Sequence, residues 1–322
     1  MTEELAQFGP IIGHACAKQT LLDAYGGDRM HHGWLFQGPR GVGKARLALQ
    51  FAAHLLGAQA TELDAPKDNH IAHLMLTGAH PDFRWITRPV DDKGKLKAEI
   101  PVDAARALAE FFALRPAMGG WRVAIVDAVD ELNRFGANAL LKTLEEPPKQ
   151  ALLILLAHGE QAVLPTLKSR CRQLRLDPLS NAEMLDALAM AGVSADAAAD
   201  MAMLAPGRPG QALALQSSEA RTAARAALDA ANAGGRLDAR GLNAAITSSA
   251  KSELAFEAAV ASLMRWTQDR ARGAETPLAA GAWADAHRRI SETASEAKGL
   301  NMDKAQAVSS VLLTLQKTAR NG

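Results

Sequence analysis

Residues 34–56 run WLFQGPRGVGKARLALQFAAHLL, an apolar run, a glycine-rich turn and a second apolar-rich run in immediate succession. A phosphate-binding loop of the pattern G-x-x-x-x-G-K-[ST] needs this order of strand, loop and helix. Its glycines let backbone N–H groups converge on an anion, the helix start adds its dipole, and the lysine pairs the terminal phosphates. Gly38, Gly41, Gly43 and Lys44 fit, but Ala45 stands where a hydroxyl would hold magnesium. The loop predicts a nucleotide site with one ligand missing.

A second acidic element is expected at the end of a neighbouring strand. WRVAIVDAVDELN supplies Asp127, placed to reach magnesium directly or through water. A hydrolytic site of this type usually needs a glutamate next in sequence to position the attacking water, and here that residue is Ala128. Loss of such a group typically costs about 10²–10⁴ in rate. Asp130 and Glu131 read as an exposed, solvated start to the next helix. Together Ala45 and Ala128 predict weak nucleotide binding or none, and no turnover.

Apolar runs at Trp34–Gln37, Phe83–Ile86, Val123–Asp127, Leu152–Ala157 and Arg172–Leu176 read as strands. Helical patterns lie between them at Ala45–Leu56, Val102–Leu114 and Gly136–Leu144; in the last, Ala137, Leu140, Leu141 and Leu144 share one face. Such alternation predicts an α/β domain with a mostly parallel sheet over residues 1–178. From Pro178 the strand signals stop. LSNAEM offers Ser180 or Asn181 as a helix cap, PGRPG at 206–210 breaks the helices that follow, and a small helical domain over 179–218 is expected. An alanine-rich, all-helical domain completes the chain over 219–322, with breaks at Gly234-Gly235, Thr276-Pro277 and near Gly299. On one of its helices Leu254, Ala258, Ala261 and Met264–Arg265 read as a packing face.

Composition excludes several classes. Among 322 residues, 36 Lys and Arg balance 35 Asp and Glu, so the chain lacks the basic signature of a protein that grips nucleic acid alone. The cysteines, Cys16 and Cys171, make neither a disulfide framework nor a zinc ligand set. MTEELAQFGP has no signal-peptide pattern, and no apolar stretch approaches the roughly 20 residues of a membrane span. A cytoplasmic protein with no membrane partner is expected.

IIGHACAKQTLL, WLFQGPRGVGKA, ANALLKTLEEPP, ALLILLA and TLKSRCRQLRL, taken in order over residues 8–215, resemble the bacterial clamp-loader subunits of the AAA+ class. ALLKTLEEPP and Ser169-Arg170-Cys171 together are specific to those subunits. The resemblance implies an AAA+ domain, a helical lid and a helical collar. It implies partnership with the gamma and tau motor subunits, the delta subunit, the sliding clamp and primed DNA. Motor subunits keep the P-loop hydroxyl, the glutamate after the strand-end aspartate and an arginine in the lid. Here Ala45, Ala128 and Gly210 stand in their places, and the sensor position after the fourth strand reads Ala157-His158-Gly159. The degenerate pattern is similar to the stator of the complex, an accessory subunit of the polymerase holoenzyme without ATPase of its own. The alternative within the family is an active motor subunit. A free-standing P-loop kinase would leave ALLKTLEEPP and the Ser-Arg-Cys triplet unexplained.

For a stator, the resemblance assigns Arg170 as a trans-acting finger on a neighbour's ATP. Lys142 has two readings, a second contact to that nucleotide or an exposed helical lysine. Cys171 is expected as a small buried side chain, and His31-His32 as surface at a strand entry. Relatives often carry a cysteine-bound zinc module between the P-loop helix and the next strand; Gly57–Pro81 has no cysteine. His54, His70, His73 and His80 are therefore expected on the surface, with no zinc. ATP is expected weakly bound or absent, with magnesium only where nucleotide binds.

Overall fold

The computed structural model describes residues 10–27, 30–58, 63–66, 68–90, 97, 99–132, 134–158, 163–233, 239–300 and 302–321. The chain divides into two compact units, Met1–Glu183 and Met184–Gly322. The segments expected as lid and collar fall together in the second, apart from residues 179–183.

The first unit is built on five parallel strands, β1 (Gly33–Gln37), β2 (Phe83–Ile86), β3 (Arg122–Asp127), β4 (Ala151–Ala157) and β5 (Arg172–Arg175), in the order β2-β3-β4-β1-β5. The interior strands β1, β3 and β4 are buried along their whole length, which is why they read as unbroken apolar runs. At the edge, β5 is mostly exposed, with Leu174 buried and Arg172, Gln173 and Arg175 exposed.

Helices α1 (Ala15–Gly26), α2 (Lys44–Leu55) and α3 (His70–Leu76) supply one cluster, in which Leu21, Phe51 and Met75 meet Trp34, Phe36, Ile125 and Ile154. Helices α4 (Val102–Ala113), α5 (Arg134–Glu145) and α6 (Pro165–Lys168) supply the other, in which Leu108, Leu140 and Leu167 meet Leu35, Val126 and Leu155. Successive strand residues feed opposite clusters, as the pleat requires.

A polar anchor sits among these apolar layers. Asp82, fully buried, accepts hydrogen bonds from the Ala117 and Met118 N–H groups, both at 2.8 Å, and pairs with Arg122 Nε at 3.1 Å. Arg122 also donates to the Phe111 carbonyl and lies over the Phe111 ring at 4.7 Å. The pair ties the chain leaving α4 to the start of β3, and its charges are matched by several bonds, the condition for a buried pair to hold.

The second unit is helical: it takes in all but the first turn of α7 (Asn181–Met190), then α8 (Ala195–Leu204), α9 (Pro209–Leu213), α10 (Ser218–Ala233), α11 (Ala239–Ser249), α12 (Glu253–Arg272), α13 (Pro277–Leu300) and α14 (Lys304–Asn321). Ser180 is the cap of α7: its Oγ accepts from Glu183 N at 3.3 Å while the Glu183 carboxylate accepts from Ser180 N at 2.8 Å. The alanines of α10 form the close-packed stripe, with Ala223, Ala227 and Ala231 against Phe256, Ala259 and Leu263 of α12. Of the face expected on α12, Ala258 and Arg265 are buried, while Leu254 and Ala261 are exposed. Gly234-Gly235 lies outside the described residues, and Gly299 falls in the last turn of α13. Among the described residues no helix is long and apolar enough to cross a membrane.

Candidate nucleotide site and candidate arginine finger

Strand β1 is an interior strand, flanked by β4 and β5, and its carboxyl end opens at the carboxyl side of the sheet, where ligands of open α/β sheets bind. The chain leaves it at Gly38 and enters α2 at Lys44 through three glycines of positive φ, Gly38 at 155°, Gly41 at 80° and Gly43 at 115°. At Gly38 a side chain is also barred by space, since a Cβ there would stand 2.3 Å from the Leu176 carbonyl oxygen. Lys44 is buried and donates through Nζ to the Gly38 carbonyl at 2.7 Å and the Pro39 carbonyl at 2.9 Å. The ammonium is thus folded onto its own loop, and an entering phosphate would exchange with these carbonyls. His14 bonds through Nε2 to the Val42 carbonyl at 2.9 Å, which braces the loop from the start of α1. Ala45 packs against the core and brings no oxygen to the site.

Asp127 ends β3, buried and in register with Leu156 of β4. Ala128 is buried too and supplies no carboxylate. Asp130 corrects the expectation of a solvated residue: it is partly buried, and its Oδ2 accepts the His158 backbone N–H at 3.0 Å. The Glu131 side chain and Gly159 lie outside the described residues. Burial first, and then the charges of Lys44, Arg40 and Arg88, push the His158 imidazole down to about 2, so the ring is neutral. Its Nδ1 is buried without a hydrogen-bond partner. Arg88 and the roles of Asp130 and His158 escaped the sequence reading. The available signal was positional, because each follows the carboxyl end of a strand by one to three residues.

Arg170 lies in the turn between α6 and β5. Its Nη2 pairs with Glu145 Oε1 at 2.7 Å, and its Nη1 donates to the Thr166 carbonyl at 3.1 Å and Ser169 Oγ at 3.4 Å. A Cβ placed on Gly33 would stand 3.4 Å from the Arg170 carbonyl oxygen, so Arg170 adjoins the first residue of β1. Gly38 follows that strand's far end, about 16 Å away at the rise of an extended chain. Arg170 and the phosphate loop therefore occupy opposite edges of one sheet. Lys142 is exposed on α5 one turn before the Arg170 partner's helix end. Cys171 is buried against the same region, its thiol pushed up to about 12 by desolvation. His31 stacks on His32 at 4.4 Å, and His32 Nε2 bonds to the Leu144 carbonyl at 2.9 Å, so the pair closes the end of α5 and is half-buried.

His54 and the histidines of 57–81, a stretch that lies partly outside the described residues, separate. His70 and His73 are exposed on α3, whose start is capped by Asn69 Oδ1, and His54 meets the edge of Tyr25 at 5.0 Å. His80 was expected on the surface and is buried instead, accepting the Asp82 N–H at 3.1 Å through Nδ1. Among the described residues no three His, Cys, Asp or Glu side chains gather as a metal site.

A family model described as "DNA polymerase III, delta subunit" matches residues 13–180, more than half of the chain. The chain belongs to this family. Curated relatives carry the names of DNA polymerase III subunits, delta' and tau/gamma. The DNA polymerase III subunit delta' of Pseudomonas aeruginosa is 35% identical over 157 residues, 48% of this chain and 46% of that protein. The Escherichia coli K12 subunit delta' is 33% identical over 198 residues, 61% of this chain and 58% of that protein. The Haemophilus influenzae subunit tau/gamma is 30% identical over 182 residues, 56% of this chain and 25% of that protein. The chain spans about half the length of the delta' relatives it matches. A Thermotoga maritima structure of a gamma subunit-related protein aligns with 95% of this chain and 99% of that one, at 14% identity and a TM-score of 0.38. The family match ends within the first unit, which carries both the phosphate loop and Arg170.

Proposed function

We propose that this chain is a delta-prime-type stator of a DNA polymerase III clamp loader, acting in the cytoplasm. In this reading it assembles with gamma/tau and delta subunits, helps load the sliding clamp on primed DNA, and lends Arg170 to a neighbour's ATP. The observation that carries the reading is the position of Arg170 at the sheet edge opposite the chain's own phosphate loop. An arginine about 16 Å along a strand from its own loop cannot serve that loop, but it is free to serve a site across an interface.

The chain's own site supports the same division of labour. Ala45 has no magnesium hydroxyl, Ala128 no water-orienting carboxylate, and Gly210 no lid guanidinium. Lys44 and the loop N–H groups retain the capacity to hold a phosphate weakly, with magnesium present only alongside nucleotide. No zinc enters this reading.

Relatives named tau/gamma at 30–32% identity support a second reading, an active motor subunit. ATP hydrolysis by the purified full chain separates the two. Hydrolysis is expected at background, and Ala45→Thr alone is expected to leave it there because two other groups are missing. Turnover near 1 s⁻¹, within the ordinary enzyme range, would favour the motor reading.

A further inference from the structure

The second unit holds a concentration of positive charge that neither fold nor proposed function uses. Arg208, in the turn before α9, is 5% exposed, and Arg265, in the middle of α12, is 7% exposed. Arg265 read from the sequence as part of an apolar face; it is buried, but as a guanidinium. Asp269, one turn further along α12, is half-exposed and lies 3.7 Å from Arg208 Nη2, an ion pair beyond hydrogen-bond distance. Arg208 Nε is buried with no hydrogen-bond partner. Arg272 follows Asp269 on the same face of α12 and adds its charge to Arg208. Arg270 is turned to another task, over the Trp266 ring at 4.8 Å.

We infer that Arg208 and Arg265, with Arg272 at the rim, form a binding site for a phosphate dianion. Asp269 pairs with Arg208, and Arg265 and Arg272 stand four residues before and three after it on α12, so three guanidinium groups share one carboxylate, an excess of two positive charges, and two of the three are buried. A buried charge without a counter-ion is costly, and removing the guanidinium from water is repaid only by a partner. Burial and the neighbouring Arg208 bring Arg265 down to about 10, still well above neutrality, so the charge persists in the folded protein. A dianion balances the excess, whereas a single carboxylate or one phosphodiester balances half of it. The planar fork of each arginine suits two oxygens of a tetrahedral oxyanion. Inorganic phosphate and the terminal phosphate of a nucleotide share this chemistry.

The test uses the full chain carrying Lys44→Ala, which removes the phosphate loop from the measurement. Thermal unfolding is followed in inorganic phosphate and in sodium chloride of equal ionic strength. Phosphate at ten times its Kd is expected to raise Tm by about 3 °C over chloride. Arg265→Met is expected to unfold at a higher temperature than its parent without phosphate and to lose the phosphate response. The exposed Arg272→Ala, which leaves the core untouched, is expected to weaken phosphate binding several-fold by calorimetry. Competition by magnesium-free ATP assigns the site to a nucleotide, and its absence assigns it to free phosphate; either supports the dianion site. An equal response to chloride, full phosphate binding in Arg272→Ala, or stabilisation by a DNA oligonucleotide alone would overturn it.

Discussion

Arg170 and Glu145 are joined by an ion pair of 2.7 Å that links the Ser-Arg-Cys turn to the last residue of α5. Both side chains are substantially exposed, so the pair contributes little to stability, on the order of 0–1 kcal/mol. Its effect is to hold a guanidinium in place on the surface at small cost. A phosphate arriving from a neighbouring molecule would compete with Glu145 for it.

Arg170→Ala is accordingly expected to leave folding and ring assembly unchanged and to lower the DNA-stimulated ATPase of a reconstituted clamp loader. One site of several would lose its finger, so the total rate should fall in part unless the sites fire in a coupled order. An essential finger is worth about 10³–10⁵ at the site it serves. Arg170→Lys should fail as well, because a point charge does not reproduce the planar fork. Normal rates in both variants would refute the trans-acting role.

Asp82→Ala should destabilise the first unit by about 3–5 kcal/mol, because it leaves Arg122 buried beside Phe111 with its carboxylate gone. The double variant Asp82→Ala/Arg122→Met should recover much of the loss. Urea midpoints of the two variants and the parent measure both effects; a double variant as unstable as the single one would place the cost in the Ala117 and Met118 hydrogen bonds instead.

Stability should fall as pH drops below about 6.5. The unfolded chain protonates its histidines near that value, while folded His158 stays neutral down to about 2. Between the two values the unfolded state binds the extra proton, so His158 contributes stability above pH 6.5 and loses it on acidification, by up to about 1.4 kcal/mol per pH unit. His32 and His80 are lowered in the same direction by burial. Denaturation midpoints at pH 7.5 and 5.5 should therefore lie closer together in His158→Gln than in the parent. An unchanged gap would mean that the ring is hydrated when folded.

Gly38→Ala should cost about 1–3 kcal/mol from backbone strain alone. It adds a collision with the Leu176 carbonyl at 2.3 Å, beside the Leu176 N–H bond to Gln37 that continues the β1–β5 ladder. Calorimetric unfolding of the variant reads the loss; a Tm within 1 °C of the parent would show that the loop shifts freely.

What the sequence determined by itself was local and periodic. All five strands lie close to where the sequence predicted them; β1, β3 and β4 were the plainest, because interior strands buried on both faces have no polar position to disguise them. The glycines of 38–43 and the bare methyl of Ala45 were equally legible, and the helix cap was narrowed to Ser180 or Asn181, since such chemistry acts within a few residues of chain. The tertiary structure alone decided what depends on distance through space. It buried His80, turned Asp130 onto the His158 N–H, and set Arg170 at the opposite sheet edge from Lys44. It also gathered Arg208 and Arg265 from a turn and a helix more than fifty residues apart. Charged side chains carry no periodic signal for such meetings. Whether an arginine ends in solvent or in the interior depends on which element packs over it, and that is determined only when the chain has folded.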